Sequence, residues 1–268
     1  MNSPRVSAAV GGPSRHIHRP TKAWTVRSAP VQRRQVRQVA LTRRYEVMWL
    51  NDDCQIEDFI RVAPAIPVFE QAFSAFAHGV LINTAQGPVA VEDLVPGMEI
   101  ETANGGTTTL KWVGAITLVP GAPSASDEPQ RLYRITADAL GLGRPATDAT
   151  FGPAARLLKR DPAIRNTLGA EAALSPVSAM EDGVSVEALN PVSPVREYHQ
   201  AYDSQQVIMA NGVEVESYHP GPDAHYSMSQ ELRELFISLF PHIDSLQGVG
   251  RMMWPRFASA AHETYELG

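Results

Sequence analysis

Between residues 45 and 218 the chain is cut every few positions by Gly, Pro, Asn or Asp into short runs rich in β-branched side chains. Val, Ile and Thr suit the pleated, half-buried surface of a strand, and the interrupting residues are those that tight turns need. Residues 80–82 stop at Gln86-Gly87-Pro88, residues 89–94 at Pro96-Gly97, and residues 98–102 at Asn104-Gly105-Gly106, a strong hairpin signal. Residues 107–118 alternate well enough for one long strand. Later runs cover 131–136, 184–189, 192–199, 206–210 and 213–218, with Asn211-Gly212 between the last two. Many short strands at this spacing predict a mainly β fold, curved or closed into a pseudo-barrel.

A hairpin precedes these runs. Residues 45–50 and 54–62 read as its strands, Asn51-Asp52-Asp53 as its turn, and Pro64 and Pro67 break the ladder. Cys54, the chain's single cysteine, falls just past the turn with no His or Lys beside it in sequence, so it reads as a structural or incidental thiol. One thiol makes neither an internal disulfide nor a Cys-rich zinc site, which suits a reducing compartment. Two stretches carry a helical pattern. Residues 69–76 are a short one. Residues 229–240 are better: Leu232, Leu235, Phe236 and Leu239 share a face, Ser229 caps the start, Glu231 lies in the first turn and Pro241 stops it. Residues 248–268 show no period.

Charge divides the chain more sharply than its net −6 indicates. Residues 1–45 hold ten Lys/Arg and no acid, which leaves −16 on the remainder. Residues 1–44, rich in Arg, Ser, Pro and Gln, bury too little apolar surface to offset the entropy of ordering, and are expected to form a disordered, solvated basic tail. An organellar transit peptide has a similar composition. So does an arm for nucleic acid or an anionic surface, although Trp24 is the tail's one aromatic residue. No apolar run reaches the ~18 residues of a membrane span, and no signal-peptide pattern is present, so a cytoplasmic location is expected. The expected layout is a tail over 1–44, a hairpin over 45–67 packed on the core, a β domain over 68–221, and a helical extension over 222–268 laid outside it.

Three stretches resemble the bacterial branch of the Hedgehog/intein (Hint) family. The first is Phe76-Ala77-His78-Gly79-Val80-Leu81-Ile82, followed by Gly87-Pro88-Val89-Ala90-Val91-Glu92-Asp93-Leu94-Val95-Pro96-Gly97. It resembles the family's opening: a nucleophile, an aromatic residue and a glycine, a strand, then V-E-D-L-x-P-G. The second is Ile135-Thr136-Ala137-Asp138-Ala139-Leu140-Gly141, leading to Gly152-Pro153-Ala154-Ala155-Arg156-Leu157-Leu158. The third is Ala210-Asn211-Gly212 through Glu216-Ser217-Tyr218-His219-Pro220-Gly221. The resemblance implies a Hint-type curved β fold over residues 70–221.

It also implies a chemistry. Active members use the first residue's thiol or hydroxyl to attack the preceding carbonyl, turning an amide into an ester or thioester. A histidine in the second stretch, which usually reads S-P-Q-H-R, protonates the departing nitrogen. Here Ala75 stands where the nucleophile precedes Phe76, and Ala155 stands where the histidine precedes Arg156. A third histidine, expected before Ala210, gives way to Gln205 or Gln206. Both catalytic positions are therefore vacant. Ser74 is a fallback nucleophile, but a one-residue offset turns it to the opposite face of an extended segment. His78 is expected to face solvent. His219 and His225 flank Pro220-Gly221-Pro222-Asp223, with His199 upstream. Such residue types can bind a metal, yet a Pro-Gly loop fixes no spacing, so these read as loop or capping histidines. His16 and His18 lie in the tail.

The residues require no cofactor and no metal, and they specify no ligand-binding residue. The sequence thus predicts a Hint-domain protein that is catalytically degenerate, more a non-enzyme than an enzyme, and that acts as a binding or structural module for a protein partner it does not identify. The alternatives are a self-processing, intein-like protein with a relocated nucleophile, and a polyanion-binding protein working through residues 1–44. The acidic body opposes the last, since it repels phosphates.

Overall fold

Asn51 shows how local chemistry starts the fold. Its side-chain oxygen accepts the Gln55 N–H at 2.8 Å and its carbonyl accepts the Cys54 N–H at 3.0 Å. The turn so made joins β1 (Thr42–Leu50) to β2 (Ile56–Pro64), which pair antiparallel along their whole length. The computed structural model describes residues 41–122, 131–221, 224 and 228–257, all within the compact unit Val39–Gly268. Residues 1–40, for which a disordered tail is expected, lie outside the described residues. Two boundaries move. Arg43 and Arg44, placed in the tail by their charge, belong to β1, where Arg43 donates to Glu70 and to the Thr117 carbonyl. Cys54 belongs to the turn, exposed and at φ 56°, and the second strand starts two residues later.

Among the described residues sixteen strands, numbered along the chain, form two antiparallel sheets. The first runs in the order β13 (Val186–Leu189), β9 (Leu132–Ile135), β10 (Ala149–Phe151), β3 (Phe76–Ala77), β14 (Val195–Ala201), β8 (Trp112–Leu118), β1, β2. The second runs β12 (Ala173–Pro176), β11 (Arg156–Lys159), β16 (Val213–Glu216), β15 (Val207–Ala210), β4 (Leu81–Thr84), β6 (Glu99–Glu101), β7 (Thr107–Thr109), with β5 (Gly87–Ala90) paired to β4. The mainly β expectation holds. The expected long strand over 107–118 is two: the chain changes sheet at Leu110-Lys111, where Leu110 bonds back to residues 97 and 98 while Lys111 bonds to Leu50 and Ala201. Alternation continues through such a crossing, so it does not reveal one.

The main core lies between the sheets and takes side chains from both, including Phe76, Ile82, Leu94, Ile100, Phe151, Leu157 and Val215. A second core is aromatic: Tyr45, Phe69, Phe73, Trp112, Phe236 and Phe240, with Leu239. Each such side chain contributes roughly 1.5–3 kcal/mol on burial. Gly114 lets this cluster close over the first sheet, since a Cβ there would overlap the rings of Phe73 and Trp112.

This second core corrects the expected layout. The hairpin is not packed on the domain as a separate layer: β1 pairs with β8, from Glu46↔Ala115 to Trp49↔Trp112, so no boundary falls near residue 67. The helix expected over 69–76 is only α1 (Pro67–Glu70). Phe69, Phe73 and Phe76 repeat like a helical face, but Phe73 enters the second core and Phe76 the main one. Nor is the C-terminal helix laid outside. It is α3 (Gln230–Ile237), after the shorter α2 (Pro162–Leu168), and is capped by Ser229 as its sequence implies. Phe236 and Phe240 are buried on Phe69 and Trp112, and the Trp112 indole donates to the Leu239 carbonyl. Among the described residues no helix is long and apolar enough to cross a membrane.

Candidate functional site

The peptide bond joining Ser74 to Ala75 enters β3, the short central strand between β10 and β14. Its polar groups are paired on both sides. The Ala75 N–H donates to the Tyr198 carbonyl at 3.0 Å, and the Ser74 carbonyl accepts the Ala154 N–H at 3.0 Å. One residue on, the Ala75 carbonyl accepts the Gly152 N–H at 2.9 Å. The segment holding Ala155 is thus bonded directly to the segment holding Ala75. Both methyl groups are fully buried in the main core.

Gly152 is what permits this approach. A Cβ there would overlap the Ser74 carbonyl oxygen and come within 2.6 Å of Glu197 Oε1. A serine, which the resemblance to the family pattern would place at this position, does not fit the junction as it is packed here. Ser74 itself is buried and lies on the carbonyl side of the bond. Acting on its own preceding carbonyl, it would address the bond to Phe73 instead.

Glu197 is a buried carboxyl at the junction that sequence reasoning misses. It occupies β14 beside Arg196, in a run whose charge reads as solvent-facing, yet it is 2% exposed. Its Oε1 has no hydrogen-bond partner and shares with Ser74 O the space over Gly152. Burial raises its pKa to about 8, with Arg43 opposing and Glu70 reinforcing the shift. Below that pH the junction therefore holds a neutral carboxylic acid beside the carbonyl, not a second negative oxygen.

The other candidates sit elsewhere. Gln205, at the expected histidine position, is fully buried and serves as a clamp: its oxygen accepts the Met253 and Trp254 N–H groups at 2.7 and 2.8 Å, and its amide donates to Glu216. Gln206 bonds to Ser204 and Ser217. His199 is buried, and burial with Arg156 and Arg256 nearby lowers its pKa to about 3, so it is neutral at any working pH. Its Nδ1 accepts the Gln200 N–H at 3.1 Å, which leaves the proton on Nε2. His219 Nδ1 accepts the Gly221 N–H at 3.0 Å, a loop-capping role. His78 is exposed beside Glu92. His225 and Asp223 lie outside the described residues. Among those described, no group of three or more His, Cys, Asp or Glu is placed to hold a metal.

Two interlocked antiparallel sheets, centred on a junction of a strand start with the turn before β11, define a mainly β scaffold of the Hint type. The chain belongs to the Hint domain family, whose model matches residues 74–222, more than half of its length. Among solved structures, a bacterial intein-like domain from Clostridium thermocellum is similar at 13% identity and a TM-score of 0.36, covering 54% of this chain and 99% of its own. No curated protein matches the chain.

Proposed function

We propose that this chain is a Hint-family module that no longer processes itself and serves as a binding or structural domain. The observation that carries it is the pair of buried methyl groups at the junction. Acyl shift needs a nucleophile at residue 75 and a proton donor for its nitrogen; Ala75 and Ala155 offer neither, and both are packed with 0% exposure. The surroundings also oppose the reaction, because the Ala75 N–H is engaged by Tyr198 and its release would cost that bond. The Ser74 carbonyl keeps a donor in Ala154 N–H, so what is missing is the attacking atom at residue 75 and the histidine at residue 155. Intact mass of freshly made protein, measured under denaturing conditions, tests this. One species of full mass is expected, unchanged on incubation with a thiol or hydroxylamine. Fragments meeting between Ser74 and Ala75 would overturn the proposal, and fragments meeting between Phe73 and Ser74 would establish Ser74 as a relocated nucleophile.

A further inference from the structure

A cavity of about 50 Å³ lies beside β11 and β16, lined among others by Arg156, His199, Glu216, Ser217, Tyr218 and Arg256. We propose that it binds a small oxyanion, a carboxylate or phosphate group, with Arg156 as the principal contact. The proposal stands whether or not the chain processes itself.

Its basis is the balance of charge and hydrogen bonds around the cavity. Among the described residues lining it, two guanidinium groups face one carboxylate, and His199 adds no charge. Arg256 is committed through two of its three nitrogens: Nε and Nη2 reach Glu216 at 3.0 and 2.9 Å, and Nη2 also donates to the His219 carbonyl. Glu216, 3% exposed, is already committed to Arg256 and to the Gln205 amide. Arg156 comes no nearer to Glu216 Oε2 than 3.7 Å, an ion pair longer than a hydrogen bond. Burial first, and then the charge of Arg256, lower its pKa against the opposing pull of Glu216 and Tyr218.

Two neutral groups lining the cavity, His199 and Ser217, are suited to donate. His199 carries its proton on Nε2, since Nδ1 accepts from Gln200. Ser217 Oγ accepts the Gln206 N–H, which leaves its own hydrogen free. A fork of guanidinium donors with neutral N–H and O–H groups around it matches an oxyanion, and it repels a metal ion. Size sets the ligand class. The volume exceeds the ~10–15 Å³ that one water needs but falls far short of the ~300 Å³ of a site for a larger molecule. The occupant is a free small anion or the charged head of something longer.

The test is thermal unfolding and calorimetry of the full chain with sodium formate, acetate or inorganic phosphate against chloride at constant ionic strength. Wild type is expected to be stabilised saturably in the millimolar range. Arg156→Gln is expected to lose about tenfold or more in affinity, since a charge-assisted hydrogen bond contributes that much, while Arg165→Gln on exposed α2 binds as wild type. Tighter binding of formate or acetate identifies a carboxylate, and tighter binding of phosphate a phosphoryl group. Equal stabilisation of Arg156→Gln, or none of wild type beyond chloride, overturns the proposal. Should Arg156→Gln fail to fold, the arginine side-chain N–H signals of wild type decide by NMR: the Arg156 resonance must shift saturably with anion, and its indifference refutes the site.

Discussion

Glu197→Gln offers a direct test of how the junction is built, because the variant keeps the shape of the side chain and removes its titration. In the folded chain the carboxyl stays protonated up to about pH 8, whereas the unfolded chain ionises it near 4.5. For an acid with a raised pKa, the native state is unpenalised below the lower value and loses stability as pH climbs towards the upper one. At about 1.4 kcal/mol per pH unit the interval gives a loss of roughly 3–5 kcal/mol between about pH 4.5 and pH 8, levelling off above it. Arg43, which opposes the shift, and Glu70, which reinforces it, are the charged groups that act on this carboxyl. Urea unfolding of both proteins from about pH 5 to about pH 9 measures the difference, and subtraction removes the titrations they share. The stability of Glu197→Gln relative to wild type is expected to rise steadily with pH over that window. Parallel profiles would refute the reasoning, since they would mean that the carboxyl reaches water in the native state.

Other perturbations test neighbouring parts of the fold. Gly152→Ser, restoring the residue the family pattern places there, is expected to cost about 3 kcal/mol or more by backbone collision, read as a fall in the unfolding midpoint; a neutral result would show that the 74–75 and 152–154 segments can separate. Ala155→His is expected to cost about 1–3 kcal/mol by overpacking, and in combination with Ala75→Cys to give slow, thiol-dependent cleavage before residue 75, followed by mass. Gln205→Leu is expected to lose about 2–3 kcal/mol from groups left unpaired and to free residues 253–254, seen as faster amide exchange at Met253 and Trp254.

Most of the strand content was legible because period-two patterning and Asn-Gly or Pro-Gly punctuation are local. Features set by tertiary context were not. β10 is only three residues long and carries no pattern of its own. Helix α2 had legible ends, with Asp161 as cap, Pro162 in the first turn and Gly169 at φ 65°, but a reading tuned to strands passes over seven residues. The site was half legible. Ala75 and Ala155 stood out against the family pattern, and both lie at the junction. Glu197, Glu214 and Glu216 were hidden, because alternation assigns a charged residue to solvent. Here Arg144 and Arg160 cover Glu214, Arg256 covers Glu216, and Glu197 is covered without a partner for one oxygen. No local signal marks such pairings across the fold.

The place of the hairpin decides what a break in the chain would accomplish. Everything described before residue 75 is woven into the rest of the domain: β1 stays bonded to β8, Arg43 to Thr117, and Tyr45, Phe69 and Phe73 remain inside an aromatic cluster closed by α3. A cut before Ala75 is therefore expected to leave the described upstream residues, 41–74, in place. The pieces would stay together as a fragment-complemented protein, eluting as a single species from a sizing column and parting only in denaturant. For a domain laid out in this way, an upstream segment held by strand pairing and a shared aromatic core would leave even a completed cut without a released product.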